Sequence, residues 1–304
     1  MSVRHFIRDL DFDAAEQRAL LVQAEALIAA PQDYAQSLAG RTLGMIFRKS
    51  STRTRVSFEV GMHQLGGHAI FLADRDNQMG RGESLTDTAQ VLSRYVDALL
   101  IRTFTHVEVQ ELARASRVPV INGLDDLWHP CQALADLLTI QRCRGSLAGQ
   151  QLVYLGDGNN VAHSLLAAGA LAGLHVRLIC PPGHRPHASI LEQAQAAAQS
   201  SGARLEVSQD PAAVAGADVV YTDVWASMGD EDQAAARRQS FAAYQVDGRL
   251  MRLARPDAIF LHCLPAHRGE EVSGEVIDGA QSRVFDQAEN RLHVQKALLL
   301  SLLT

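Results

Sequence analysis

Lysine is nearly missing from this chain: of 28 cationic residues, 26 are arginine and only Lys49 and Lys296 are lysine. Schiff-base chemistry on a lysine amine therefore has almost no candidate, whereas guanidinium chemistry has many. Cysteine is sparse as well. Cys131, Cys143, Cys180 and Cys263 lie far apart without C-x-x-C spacing, which argues against a disulfide framework or a zinc knuckle and leaves four reduced thiols as the expectation. No apolar run reaches the roughly 18 residues of a membrane span, and the opening MSVRHFIRDLDFDAAEQ contains no apolar signal region, so no membrane role and a cytoplasmic location are expected. A run of cations is also missing. The charges are scattered and the formal net charge is only -6, which speaks against nucleic acid as a partner and makes any bound anion a small one.

What is there is an ordinary globular balance, 47% hydrophobic and 20% charged over 304 residues, enough for a sizeable core and for two domains. Short runs rich in Val, Ile and Leu alternate with longer helix-period segments, the pattern of parallel strands joined by crossover helices, so the fold class is α/β. Strands are predicted at 42–47, 68–72, 98–102 and 119–122 in the first half, and at 151–155, 176–180, 205–207, 219–222 and 259–262 in the second. A helical stretch, Gln132 to Cys143, is followed by the small polar link Arg144-Gly145-Ser146, where the domain boundary is placed. The expected division is 1–143 and 144–286, each a parallel sheet flanked by helices. The amphipathic tail from Asn290 to Leu303 must bury its Leu face, and residues 287–304 packing back on the first domain is one solution.

Six segments carry candidate chemistry. FRKSSTRTRVSFE follows the first strand and opens a helix, where free N–H groups and the dipole favour an anion. Ser51, Thr52 and Thr54 add hydroxyl donors, and Arg53 and Arg55 add forks suited to phosphate oxygens; an N-cap followed by a solvated basic turn is the plainer alternative. It is not a Walker loop, since G-x-x-x-x-G-K-[ST] is missing. In HPCQALADLLT, Pro130 suits the first helical position, which puts His129 at the entry and Gln132 on the same face. Two neutral polar groups there could read a carbamoyl group, although His129 alone reads as well as a capping residue.

GDGNNVAHS begins like a dinucleotide fingerprint, but Val161 occupies the third glycine position, so a nucleotide is disfavoured. Asn159 and Asn160 suit the carboxylate or amine of an amino acid, or equally a helix cap. In DVWASMGDE, Asp223 ends an apolar run, where a carboxylate can take an ammonium; an ordinary turn is the alternative. In FLHCLPAHRGEEV a strand ends at Cys263, either a buried core thiol or a polarisable group near Asp223. No His/Asp pair at motif spacing makes it a nucleophile. Arg291, in AENRLHVQKAL, could reach an anion and otherwise reads as a surface arginine.

In this order, and across essentially the whole chain, these segments resemble the aspartate/ornithine carbamoyltransferase family. S-T-R-T-R and H-P-x-Q match its carbamoyl phosphate half, and D-x-x-x-S-M-G with H-C-L-P match its ornithine branch. The resemblance implies that Ser51, Thr52, Arg53 and Thr54 cradle phosphate, that Arg102 shares the phosphate and the carbamoyl oxygen, and that His129 and Gln132 hold the carbamoyl group. It implies an L-ornithine set of Asn160, Asp223, Ser227 and Met228, with Cys263 and Leu264 lining the site between both substrates, Arg291 closing it, and Gln78, Cys263, Leu264 and Arg291 all contacting carbamoyl phosphate. Gln78, in DNQMGRGES, matches a position reached from a neighbouring subunit of a homotrimer with shared active sites.

The implied reaction joins the carbamoyl group of carbamoyl phosphate to the δ-amine of ornithine, with Arg102, His129, Asp223 and Cys263 as its catalytic set. It needs no metal and no organic cofactor. A relative using N-acetylornithine, putrescine or aspartate is disfavoured by S-M-G beside Asp223. A non-catalytic metabolite-binding relative would be expected to lack Arg53, His129 or Cys263, and a nucleotide-dependent dehydrogenase is disfavoured by Val161.

Overall fold

Apolar runs form the strands of two all-parallel sheets, and inner ones such as β3 (Ala98–Arg102) and β8 (Val219–Thr222) are buried along their full length, as expected where helices cover both faces. The computed structural model describes residues 3–73, 82–226 and 234–304. It divides into two units, Met1–Ala135 with Glu289–Thr304, and Asp136–Ala288.

The strands of the first unit are β1 (Thr42–Phe47), β2 (His68–Ala73), β3 (Ala98–Arg102) and β4 (Val120–Leu124), in the sheet order β2-β1-β3-β4. Its helices are α1 (Ala14–Ala29) and the crossovers α2 (Thr52–Gln64), α3 (Leu85–Leu92) and α4 (His106–Ala115). The chain leaves β1 toward one edge of the sheet and β3 toward the other. The carboxyl ends of β1 and β3 therefore lie side by side at the switch point, Phe47 opposite Arg102, where open α/β sheets hold ligands. Beyond β4 comes α5 (Pro130–Arg144), with proline at its first position and Gly145 in the left-handed conformation just past its end.

The second unit holds β5 (Gln151–Leu155), β6 (His175–Ile179), β7 (Leu205–Ser208), β8 (Val219–Thr222) and β9 (Ile259–His262), in the order β7-β6-β5-β8-β9. Helices α6 (Asn160–Ala172) and α7 (Ala188–Ser201) are its long crossovers; α8 (Ala234–Phe241), α9 (Gly248–Met251) and α10 (Gly274–Ile277) are shorter. Its switch point lies between β5 and β8, Leu155 opposite Thr222, which brings the segments after each strand together. Val153, Leu155, Val220 and Phe260 form its core with Val246, Leu250 and Val272.

The last helix, α11 (Val284–Leu303), carries residues 289–304 back to the first unit. A Cβ on Gly61 of α2 would stand 3.3 Å from Lys296 Cγ and 3.6 Å from Leu292 Cδ1, and Lys296 Nζ donates to Gln64 Oε1 at 2.9 Å. The small residue lets the two helices approach, and the tail's apolar face is covered as its periodicity requires.

Candidate active site

In the first unit, Ser51 caps α2 and its hydroxyl accepts from Thr54 N–H at 3.2 Å. Thr52 and Arg53 face solvent on the first turn, while Thr54 points inward and is buried. Arg55 lies two residues past Arg53, about 200° around the helix. Its guanidinium stacks 3.8 Å from the Phe71 ring centroid and pairs with Glu59 at 3.0 Å, so the fork expected of it in the phosphate cradle is engaged elsewhere.

Arg291 is buried, not the surface arginine its isolated sequence context allows. It donates to Gln132 Oε1 at 2.7 Å and to Thr54 Oγ1 at 3.0 Å. One guanidinium thus ties the mouths of α2 and α5 together and sets the orientation of both polar side chains.

His129 sits at the mouth of α5, and its carbonyl accepts the N–H groups of Gln132 and Ala133. Burial first, then the charges of Arg291, Arg102, Arg53 and Lys49, push its imidazole well below the usual 6.5, so it is neutral at physiological pH. Four cations around a neutral histidine make a place for a polyanion carrying an uncharged polar group.

Residues that the sequence did not single out hold His129 there. Asp125 accepts from Leu127 N–H at 2.8 Å, Trp128 N–H at 2.7 Å and Asn122 Nδ2 at 2.8 Å, and its carboxylate lies 2.6 Å from His106 Nδ1. The β3–β4 register shifts by one residue between Ile101 and Arg102, which sets Arg102 opposite Leu124 at the start of this turn. The only sequence signal was Asp125 four residues ahead of His129, a spacing common to many turns.

In the second unit, Asp223 is buried at the end of β8. It accepts from Val224 N–H at 2.8 Å, from Asn159 Nδ2 at 3.0 Å and from Cys263 Sγ at 2.9 Å. Asn159 also caps α6, its Oδ1 taking Val161 N–H at 3.0 Å and Ala162 N–H at 3.1 Å. The amide side chain is therefore cap and carboxylate partner at once. Asn160 is half-buried beside it, with Oδ1 accepting from Val161 N–H at 2.9 Å. Gly158 is dictated by packing and not by a nucleotide: a Cβ there would stand 2.3 Å from Pro186 N.

All four cysteines are free. Burial drives the Cys131 and Cys180 thiols up to about 12, leaving them inert, whereas Cys263 faces a carboxylate. Asp223, His262 and Cys263 lie close enough to share a metal ion. Both His262 ring nitrogens are occupied, Nδ1 by Leu264 N–H at 2.8 Å and Nε2 by Glu271 at 3.1 Å, so no third ligand is available from this group. Leu264 follows Cys263 in a left-handed backbone conformation, φ 57°, uncommon for a branched residue. Gln78, Ser227 and Met228 lie outside the described residues.

Two domain models of one family match the chain in succession. The carbamoyl-P binding domain model of aspartate/ornithine carbamoyltransferases matches residues 4–142, and the Asp/Orn binding domain model of the same family matches residues 148–302. Among curated relatives, an ornithine carbamoyltransferase of Anoxybacillus flavithermus is 59% identical over 267 residues, 88% of this chain and 85% of that one. Another, from Methylococcus capsulatus, is 53% identical over 305 residues, covering 100% of both chains. The solved ornithine carbamoyltransferase of Pyrococcus furiosus superposes with a TM-score of 0.96 at 50% identity, covering 99% of this chain and 97% of that chain.

Proposed function

We propose, for a chain that belongs to the aspartate/ornithine carbamoyltransferase family, that it moves the carbamoyl group of carbamoyl phosphate to the δ-amine of L-ornithine, releasing L-citrulline and phosphate. The observation that carries this reading is the cation set of Lys49, Arg53, Arg102 and Arg291 around neutral His129 in one unit, together with the Asp223–Cys263 pair at the switch point of the other. A dianionic donor with an uncharged carbonyl suits the first, and an ammonium-bearing acceptor suits the second. Arginine biosynthesis in the cytoplasm is the proposed setting; no helix among the described residues is long and apolar enough to cross a membrane.

The chemistry follows from what must change along the reaction. Ornithine's δ-amine is normally a cation with a pKa of about 10.4, so the neutral amine must be selected. Asp223 orients the amino-acid end and Cys263 favours the neutral amine. Attack on the carbonyl carbon forms the C–N bond and pushes charge onto the oxygen, where Thr54, Arg102 and His129 act as donors; one such donor is typically worth about 2.7–4 kcal/mol. His129, although neutral, keeps one ring N–H with which to donate. The tetrahedral adduct then breaks its C–O bond to phosphate, which leaves with its charge balanced by Arg53 and the α2 mouth and takes up the amine's proton. The Ser51, Thr52, Arg53 and Thr54 cradle, the Gln132 contact with the carbamoyl group, and an ornithine set of Asn160, Asp223, Ser227 and Met228 complete the proposal, with Cys263 and Leu264 lining the carbamoyl side. Arg291 acts through Thr54 and Gln132. The assembly is proposed to be a trimer in which Gln78 enters a neighbour's site.

Colorimetric measurement of ureido product, with carbamoyl phosphate as donor and ornithine, N-acetylornithine, putrescine and aspartate as acceptors, tests the reading. Ornithine should lead putrescine and aspartate by at least about 10³ in kcat/KM, because buried partners left unpaired are heavily penalised. Comparable turnover of putrescine would overturn it.

A further inference from the structure

The strand that delivers Cys263 is fixed by a buried pair that the reaction itself does not use. His262 and Glu271 both have side chains without solvent exposure. The His262 backbone N–H donates to Gln287 Oε1 at 2.9 Å, and the same Gln287 amide is locked by donating to Asp136 Oδ1 at 2.7 Å and to Tyr221 Oη at 3.1 Å. The ring is held separately. Leu264 N–H can only donate, so Nδ1, 2.8 Å away, must be the acceptor, and the ring proton therefore sits on Nε2, facing Glu271 Oε1 at 3.1 Å.

Glu271 also accepts His267 N–H at 2.6 Å. Burial alone would raise its carboxyl, but the hydrogen bonds from His262 and from that backbone N–H outweigh it and hold the group below its usual value, so it is an acceptor at neutral pH. The result is a chain of fixed contacts: Glu271 sets the His262 tautomer, the tautomer supplies the acceptor for Leu264 N–H, and Leu264 keeps its left-handed backbone next to the Cys263 thiol that contacts Asp223.

We infer that His262 and Glu271 are positioning residues, a tautomer-setting pair that holds the Cys263–Leu264 segment just past β9 in the geometry needed for ornithine. This rests on the proposed function and extends it to groups that touch neither substrate. The two halves of the histidine separate in substitution. His262→Asn places an amide oxygen where Nδ1 lies, keeping the acceptor for Leu264 and losing the reach to Glu271. His262→Gln places its amide near Nε2, keeping the link to Glu271 and losing the acceptor. Glu271→Gln retains an oxygen for both of its donors.

Ornithine kinetics on folded variants, with carbamoyl phosphate affinity measured by calorimetry, should give Glu271→Gln and His262→Asn within about tenfold of the parent in kcat/KM. His262→Gln should fall about a hundredfold or more, the scale on which a small misplacement reduces turnover. Carbamoyl phosphate affinity should stay within about twofold for Glu271→Gln and His262→Asn, which keep the acceptor for Leu264 N–H and with it the placement of Cys263 and Leu264. A residue that merely stabilised the fold would move melting temperatures without separating Asn from Gln at position 262. Equal kcat/KM for those two variants, with the parent active, overturns the positioning role and leaves the activity standing. A parent that makes no ureido product from ornithine overturns the functional reading instead. Should His262→Gln fail to fold, nitrogen NMR of the intact chain still decides: an Nε2-protonated ring supports the pair, and an Nδ1-protonated ring overturns it.

Discussion

His129 concentrates the physical chemistry of the first unit in one side chain. An unfolded histidine takes up a proton below about 6.5, whereas the folded one, buried and facing four cations, does not. Below that pH the unfolded chain binds more protons than the folded chain, so stability falls as pH drops through about 6.5, and above it His129 contributes no such loss. His129→Gln should therefore shrink the fall in Tm between about pH 7.5 and about pH 5.5, read by calorimetry at about 2–4 °C per kcal/mol for a domain of this size. Saturating phosphate should shrink it in the parent too, because a bound dianion offsets the cations that oppose protonation. An equal fall in variant and parent would show that His129 does not carry the effect. Arg53 belongs to the same cluster but is exposed, so its removal should spare the fold. Loss of a charge-assisted fork is worth about 1.5–3 kcal/mol, so Arg53→Ala should weaken carbamoyl phosphate binding roughly 10- to 150-fold in calorimetry with Tm nearly unchanged. Undiminished affinity would remove Arg53 from the cradle.

Among the elements, the α6 mouth separates structural from chemical roles most cleanly. Asn159 caps the helix with its oxygen and reaches Asp223 with its nitrogen, and Asp is as good a cap as Asn. Asn159→Asp should keep α6 intact and leave melting within about 1 kcal/mol of the parent, while setting a like charge against Asp223 and raising the KM for ornithine by about tenfold or more. An unchanged KM would show that the Asn159–Asp223 contact does not matter to the acceptor. The elements themselves were largely legible in the sequence. β1, β3, β5, β8 and β9 run over the predicted residues, because runs buried on both faces and bounded by polar residues have few other ways to pair. β4 starts at Val120 and runs on to Leu124, since the register shift beside Arg102 carries it past Asn122, and no period in the sequence signals such a shift. α11 begins at Val284, six residues ahead of Asn290, where its first turn falls outside the apolar periodicity of the tail. In the candidate site, the hydroxyls, guanidiniums and His129 could be read because residue type at a helix mouth already implies chemistry. Their holders could not. Gln287 meets Asp136 and Arg291 meets Thr54 across long stretches of chain, and only the folded topology brings such pairs together.

At the scale of the whole molecule, the open matter is how many chains build one site. A cyclic trimer would have a mass of about 99 kDa from chains of 33.0 kDa, and light scattering on an eluting peak reads it directly. Gln78 lies outside the described residues, and its proposed place in a neighbour's site rests on the loop sequence DNQMGRGES, where Gly80 and Gly82 ease extension of the backbone. In a ring, each site would take Arg53 from one chain and Gln78 from the next. Homotrimers of Arg53→Ala and of Gln78→Ala should then both be nearly inactive, each having every site damaged. Refolded together, they form mixed rings in which one junction joins an intact Arg53 to an intact Gln78, while the opposite junction carries both substitutions. Every mixed ring thus regains one complete site, and activity should return to about one third of the parent level per mixed trimer. Chains acting alone cannot produce that recovery, because no single chain in the mixture carries both intact residues. If mass-verified mixed trimers stay as inactive as the two parents, while Gln78→Ala alone is severe, Gln78 serves its own chain and the sites are not shared.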